Sequence, residues 1–449
     1  VKHNLSTLYI ATDSDNTNWL EYILEEFARF NLVEFEIQFC SIDHHAKDAN
    51  VIYYTKDHFP GVCLPNRSHI QPCGEMKWIT QKLFVIERSY TTDKRFECQY
   101  DIFWNAFVFL SRLEEFQFAS NNYNNTTSYR NAHPRIDKTT FDIPIVNYLF
   151  DELETIIKRC FPQLVFGPNR KPTLELSHDV DYIEKTIQLR IKQTAFNSFN
   201  TLKTIRCPKY SSRLALKTIS FLISNPSYWC FDYWETLEKQ NEKRSVFYVY
   251  VQTNRKNFKS WLIDPSYNVA SNKALQRKLK QLTKDNFEVG LHGSYLSAVR
   301  ESQLIREKEL LEDIIEHEVG KVRQHWLRYE EAITPVLHDK YFRYDSSLGW
   351  NDHMGFRSGC VSQYRPYDHK RQKPFNYFAI PLVIMDSQIF DYGADRSDSL
   401  AEKALILLSS LKNFKSSHVS VSWHQRVQSK DYRWHEIFEK ILGITHEYL

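Results

Sequence analysis

No apolar run in this 449-residue chain approaches the ~18 residues that a membrane-spanning helix requires. The first residues, "VKHNLSTLYIATDSD", lack the long apolar segment of a secretory signal. No C-x-x-C pair occurs among the eight cysteines (Cys40, Cys63, Cys73, Cys98, Cys160, Cys207, Cys230 and Cys360), and their spacings are irregular, so they read as reduced, mostly buried thiols. Charge of one sign is not in excess either. The formal total is +3, which leaves no nucleic-acid or membrane footprint in the sum, and the Lys/Arg cluster over 185–218 reads as a solvated face. No solenoid-type repeat is visible. Glycine is scarce, with only 11. The expectation is a cytoplasmic protein without a transmembrane segment, in which N-x-S/T triplets such as Asn124-Asn125-Thr126 are accidental.

Aromatic residues, by contrast, are abundant, with 30 Phe, 26 Tyr and 10 Trp. The length suits two or three domains with sizeable cores. The first segment reads β-α-β. "LYIAT" is a strand, "NWLEYILEEFARF" spaces Leu20, Ile23, Leu24 and Phe27 as a helix, and "FEIQF" and "VIYY" are strands. "DIFWNAFVFLSRLEEF" (101–116) reads as one apolar helix, and the Asn-rich stretch 119–131 as an exposed loop. A helix from about Ile145 to Cys160 follows. From 171 onward helices alternate with short strands: "SVFYVYV", "FEVGLH", "KVRQHWL" and "HVSVSWH", with Gly320 placed as a helix C-cap. Such alternation implies a largely parallel sheet or barrel. The expected division is an N-terminal α/β domain over 1–135, a connecting helix over 136–170 and a barrel domain over 171–449.

Polar residues recur at the ends of these strands. In "ELSHDVDYIEK" Ser177, Asp179 and Asp181 share one face of a strand, and the Cα atoms of successive members lie roughly 6.5–7 Å apart. Two like charges on one face call for a positive partner: a metal ion, an arginine or a proton. The structural alternative is ordinary loop entry, where Asp bonds its own backbone. Other strands place Glu288, Gly290 and His292, then Arg323 and His325, then His418, Ser420, Ser422 and His424 on shared faces. In a parallel barrel the C-terminal strand ends meet on one rim, where active sites are built. Each residue alone has a structural alternative, as a hydrogen-bonded histidine or a surface ion pair; their coincidence at equivalent positions points to a site.

The stretches "LSHDVD", "EVGLHGSYLS", "VRQHWLRYE", "FRYDSSLGW", "GFRSG" and "VSWH", in this order, resemble the polysaccharide deacetylase family over roughly 171–424. "FWNAFVFLSRLEEF" resembles the N-terminal domain of a branch of that family. The resemblance implies a distorted (β/α) barrel and a divalent metal. It implies Asp179 as general base, Asp181 and His292 as metal ligands, Arg323 as the group that orients the base and His424 as general acid. Two departures stand out. Val180 separates the aspartates, which are usually adjacent. Leu296 stands where the second histidine of a His-x-x-x-His motif is expected. His325, on the same face as Arg323, is the candidate replacement, and His178, on the opposite face, ranks below it.

Amide hydrolysis needs an activated water, a stabilised oxyanion and a protonated leaving amine. Asp181, His292 and His325 with one water would meet the coordination number of a catalytic zinc. Asp179 would take a proton and His424 would give one. Tyr295 and Trp326 could stack on sugar rings, with ordinary packing as their alternative. Asp345, Arg357 and Asp386 match family-like stretches, with no role assigned beyond support of the groups above. The leading expectation is a de-N-acetylase acting on a glycan or sugar conjugate, with zinc as cofactor. A catalytically degenerate barrel, binding or scaffolding in polysaccharide biosynthesis, is the alternative that Leu296 favours. A metal-free pair of carboxylates cleaving glycosidic bonds ranks last, given the histidines.

Overall fold

The computed structural model describes residues 6–43, 50–69, 76–78, 84–121, 128–203, 208–253, 255–392 and 397–448. The chain forms two compact units. The first comprises Val1–Thr173, Gly355–Val383 and Leu411–Val419, and the second Leu174–Met354, Ile384–Ser410 and Ser420–Leu449.

In the first unit the strands Glu36–Cys40, Thr7–Thr12, Asn50–Thr55 and Val62–Pro65 lie in that order in one parallel sheet. The Asn18–Phe30 helix follows the first strand and buries Leu20, Ile23, Leu24 and Phe27, the residues its spacing singled out. The apolar stretch after Asp101 is not one helix but two, Ile102–Leu110 and Leu113–Asn121. The break falls at Arg112, whose φ of 52° is left-handed, so the second helix starts in a new direction. Asp101 caps the first of the two, its Oδ1 accepting from the Trp104 N–H at 2.9 Å while Oδ2 accepts from Tyr54 Oη at 2.7 Å. Of the stretch expected as a loop, 119–121 ends the second helix and 122–127 lies outside the described residues.

The second unit is mixed α/β and holds all or the C-terminal part of seven consecutive strands of a curled eight-stranded sheet. Their order is Tyr344–Asp345, Lys321–Gln324, Glu288–Gly293, Val246–Tyr250, Thr173–Val180, His418–Ser422 and Leu382–Met385. The first five are parallel neighbours. His418–Ser422, the last strand, lies beside Thr173–Val180, the first of this sheet, and Leu382–Met385 lies beyond it, in keeping with the expected distorted (β/α) barrel. Helices cross between the parallel strands, and the fully buried Val246–Tyr250 run has the near-continuous apolar composition of a central parallel strand. The helix Glu301–Ile315 stops at Glu316, which takes the left-handed cap (φ 58°), rather than at Gly320. No described helix is long and apolar enough to cross a membrane, and the six described cysteines are free.

Candidate metal centre and proton-transfer groups

Five of the strand-end residues meet at the C-terminal rim of the second unit's sheet. Asp179 and Asp181 end the Thr173–Val180 strand or follow it, and His292 lies in Glu288–Gly293. Arg323 pairs in register with His292 across to Lys321–Gln324. His424 follows His418–Ser422. His325 is no longer in its strand, which ends at Gln324; a short 3-10 turn begins there, and Trp326 takes φ 60°. That turn still aims the His325 ring at the site, 5.1 Å from the His292 ring.

Arg323 is wholly buried, and each of its three nitrogens has a partner. Nη1 donates to Asp179 Oδ1 (2.6 Å), Ser177 Oγ (2.9 Å) and Ser422 Oγ (3.0 Å). Nη2 donates to the Ser346 and Ser420 hydroxyls, both at 2.9 Å, and Nε to the Ser346 carbonyl at 3.2 Å. The Tyr248 ring lies 4.2 Å beneath the guanidinium. Gly290 makes room for that ring, since a Cβ there would come within 2.7 Å of Tyr248 Cδ1. Burial alone would raise the Asp179 carboxyl, but Arg323 above all, with His424, outweighs it and holds the pKa below the usual carboxylate range.

Asp181 divides its two oxygens. Oδ2 accepts from Arg426 Nη1 at 2.9 Å and lies 3.3 Å from His424 Nε2. Oδ1 faces His292 Nε2 at 3.3 Å and His325 Nε2 at 3.7 Å. His292 Nδ1 donates to the Arg323 carbonyl at 3.0 Å, which a carbonyl can only accept, so in the neutral ring Nε2 is the acceptor. His325 Nδ1 points to Asp264 Oδ1 at 3.5 Å, and burial lowers this imidazole's pKa against the pull of Asp264 and Asp181, which keeps it neutral. Oδ1 of Asp181 is thus a buried carboxylate oxygen that faces two ring nitrogens and has no hydrogen-bond partner among the described residues. A carboxylate oxygen and two imidazole nitrogens, all within 4.8 Å of one another, are a donor set that fits a divalent cation.

His424 stands opposite. Its Nδ1–H donates to Asp386 Oδ1 and its backbone N–H to Asp386 Oδ2, both at 2.7 Å. Burial would lower this imidazole, but Asp386 and Asp181 outweigh it and push the pKa up to about 10, so the ring is a cation at neutral pH. The cleft over these groups is walled by Tyr182, Leu189, Lys192, Phe196, Trp326, Asn351 and Arg426, among others. Trp326 is 39% exposed there. Tyr295 does not line this cleft; its ring packs 4.3 Å from the Arg328 guanidinium and its N–H donates to Asp264. His178 is spent on structure, with Nδ1 against the Trp423 carbonyl (2.8 Å) and Nε2 against Glu238 (2.7 Å).

Asp264, Arg426 and the four serines around Arg323 carry no function in the sequence reading. Asp264 sits in a loop with no motif, and Arg426 lies two residues past the last recognisable stretch. Ser177, Ser420 and Ser422 were on the right faces, but a serine on a strand has too many ordinary explanations to be singled out.

Residues 8–162 match a family of unknown function (DUF7033). No curated protein matches the chain. Among solved structures, the chain is similar to a "putative polysaccharide deacetylase from Mycobacterium smegmatis", with 12% identity, a TM-score of 0.36, and coverage of 62% of this chain and 85% of that one. It is also similar to a CE4 family pseudoenzyme from Bacillus anthracis, with 11% identity, a TM-score of 0.29 and coverage of 63% of each chain. A mutant CE4 family pseudoenzyme with restored enzymatic activity matches at 11% identity and a TM-score of 0.29, over 63% of this chain and 65% of that one. At these scores the functional reading rests on the side chains of this site.

Proposed function

We propose that this chain is a metal-dependent hydrolase that removes an N-acetyl group from a sugar or polysaccharide precursor, with the chemistry carried by residues 171–449 and a separate role for residues 1–135. The observation that carries the reading is the Asp181 Oδ1 atom, buried without a hydrogen-bond donor and facing two imidazole nitrogens. On this reading Asp181, His292 and His325 hold the cation. When bound there, a divalent ion, zinc by its preference for such donors, supplies Lewis acidity for amide hydrolysis. Asp179, kept ionised and fixed by Arg323, accepts the proton of the attacking water. His424, kept cationic by Asp386, delivers a proton to the departing nitrogen. Trp326 offers an exposed ring face to a sugar, and Tyr295, off the cleft, donates its own N–H to Asp264. Water-excluding walls such as Tyr182 and Phe196 strengthen each of these charge interactions.

The division of labour between the aspartates is the test. Asp181→Ala should lose bound zinc, whereas Asp179→Asn should retain zinc and lose acetate release from N-acetylated sugars. Equal zinc loss in both variants would contradict the roles. A binding or scaffold protein in polysaccharide biosynthesis is the second reading. It is favoured by Leu296, which offers no donor, and by Arg426, which already neutralises half of the Asp181 carboxylate. A chain that binds zinc stoichiometrically yet releases no acetate from any N-acetylated sugar tested would favour it.

A further inference from the structure

Between Glu184 and Asp232 the sequence contains no Asp or Glu but eight Lys and Arg. This stretch forms two packed helices of the second unit, Ile187–Lys203 and Pro208–Ile223. Of the sixteen exposed large apolar side chains among the described residues, eight lie on this pair. Their spacing is not random. Ile187, Ile191, Phe199 and Leu202 fall within one third of the first helix's circumference, and Leu216, Ile219 and Ile223 within a similar arc of the second. Ile187 is 74% exposed, Leu216 68% and Ile223 81%. These helices also bury a second set of apolar residues, Leu189, Leu214 and Phe221, so the exposed stripes are additional to the faces that hold them to the fold.

Lys185 is buried against Asp431 and Lys192 faces the cleft, so the described basic side chains beside the stripes are Arg190 and Lys217. An apolar stripe flanked by basic residues is the composition of helices that lie in the plane of a membrane interface. We propose that the pair Ile187–Lys203 and Pro208–Ile223 docks the chain on an anionic lipid bilayer. Charge decides between this partner and a second copy of the chain. Two such surfaces face to face would set basic residues against basic residues with no acid in either stretch, whereas anionic headgroups complement them. The total of +3 conceals this because the charge is local. The side of the first helix opposite its exposed stripe supplies Leu189, Lys192, Gln193 and Phe196 to the wall of the cleft. A docked chain therefore holds its cleft about one helix diameter, roughly 10 Å, from the lipid surface. The inference stands on the two helices and does not depend on the deacetylase reading.

The test is flotation of the full chain with vesicles of phosphatidylcholine alone and of phosphatidylcholine with phosphatidylglycerol, at low and high salt. The expected result is recovery with the anionic vesicles at low salt, little with the neutral ones, and release by salt. Ile219→Glu combined with Ile223→Glu should abolish recovery. Lys217→Ala should weaken partitioning roughly fivefold, about 1 kcal/mol, as one basic side chain at such a surface contributes. All three positions are exposed, so melting temperatures should not change; if the double variant unfolds, Lys217→Ala and the salt response still decide. Absence of flotation, equal recovery on neutral vesicles, or a dimer that Ile223→Glu returns to monomer would overturn the proposal.

Discussion

Glu115 in the first unit and Asp181 in the second are both buried carboxylates set among cations and histidines, yet they are finished differently. Glu115 takes a two-pronged contact from Arg357, Nε to Oε1 at 3.1 Å and Nη2 to Oε2 at 2.8 Å, with His133 and Arg112 close by. Burial would raise its pKa, but Arg357 and Arg112 reverse that and hold it far below the usual range. Both of its oxygens carry guanidinium donors. Asp181 has donors on one oxygen only, and the other faces the Nε2 atoms of His292 and His325 without a hydrogen bond. Buried charge by itself therefore marks nothing. The distinction lies in whether the last lone pair is satisfied by the protein.

The sharpest way to break the comparison is to remove the acid from the closed cluster. Glu115→Ala takes the acid away from the buried Arg357 guanidinium, and should cost about 3–5 kcal/mol in denaturant unfolding of the first unit. A loss below about 1 kcal/mol would mean the cluster is solvated in a way its burial does not suggest.

Next in size is a pH effect at Glu307, whose carboxyl accepts from the Ser294 N–H at 3.0 Å and from Gln303 at 2.9 Å. Burial, against these hydrogen bonds, pushes its pKa up to about 7. The folded state thus binds a proton more tightly than the unfolded chain. The contribution to stability is full below the unfolded value, near 4.5, and is lost as pH rises toward 7. The loss should be about 3 kcal/mol at most. Unfolding measured across this window should slope downward with pH, and Glu307→Gln should flatten it; an unchanged slope in the variant would remove Glu307 as its source.

Smaller effects sharpen the open cluster. Asp264→Asn weakens the group that orients His325, and zinc affinity should fall about 10–100-fold by competition with a chelator. Asp386→Asn removes the charge that raises His424. The alkaline limb of kcat/KM should then move down from the region of pH 10 toward the ordinary imidazole range, because the ring loses its proton earlier. A limb that stays in place would assign the proton donor elsewhere.

Much of this site was legible because strand periodicity is strict. Asp179, Asp181, His292 and Arg323 follow from a period of two and a common rim. His325 met the others for a reason the strand reading did not contain, since its strand ends at Gln324 and the 3-10 turn with Trp326 at φ 60° re-aims the ring. Asp264 was illegible as a partner because it reaches its histidine from a loop that no period links to the strands. Asp386 stood out only as part of a family-like stretch, with a supporting role at most. The two-helix break at Arg112 was hidden for a similar reason: an apolar run such as "DIFWNAFVFLSRLEEF" fits one helix as well as two, and the left-handed φ of Arg112 leaves no mark in the apolar pattern.

The account turns on whether the open lone pairs of Asp181, His292 and His325 hold a metal. The most direct measurement is zinc per chain in His325→Ala beside the unaltered protein, together with the rise in melting temperature on adding zinc. The expected result is close to one zinc and a clear rise for the unaltered chain, with both lost in the variant. Full occupancy and an unchanged rise in His325→Ala would contradict the assignment.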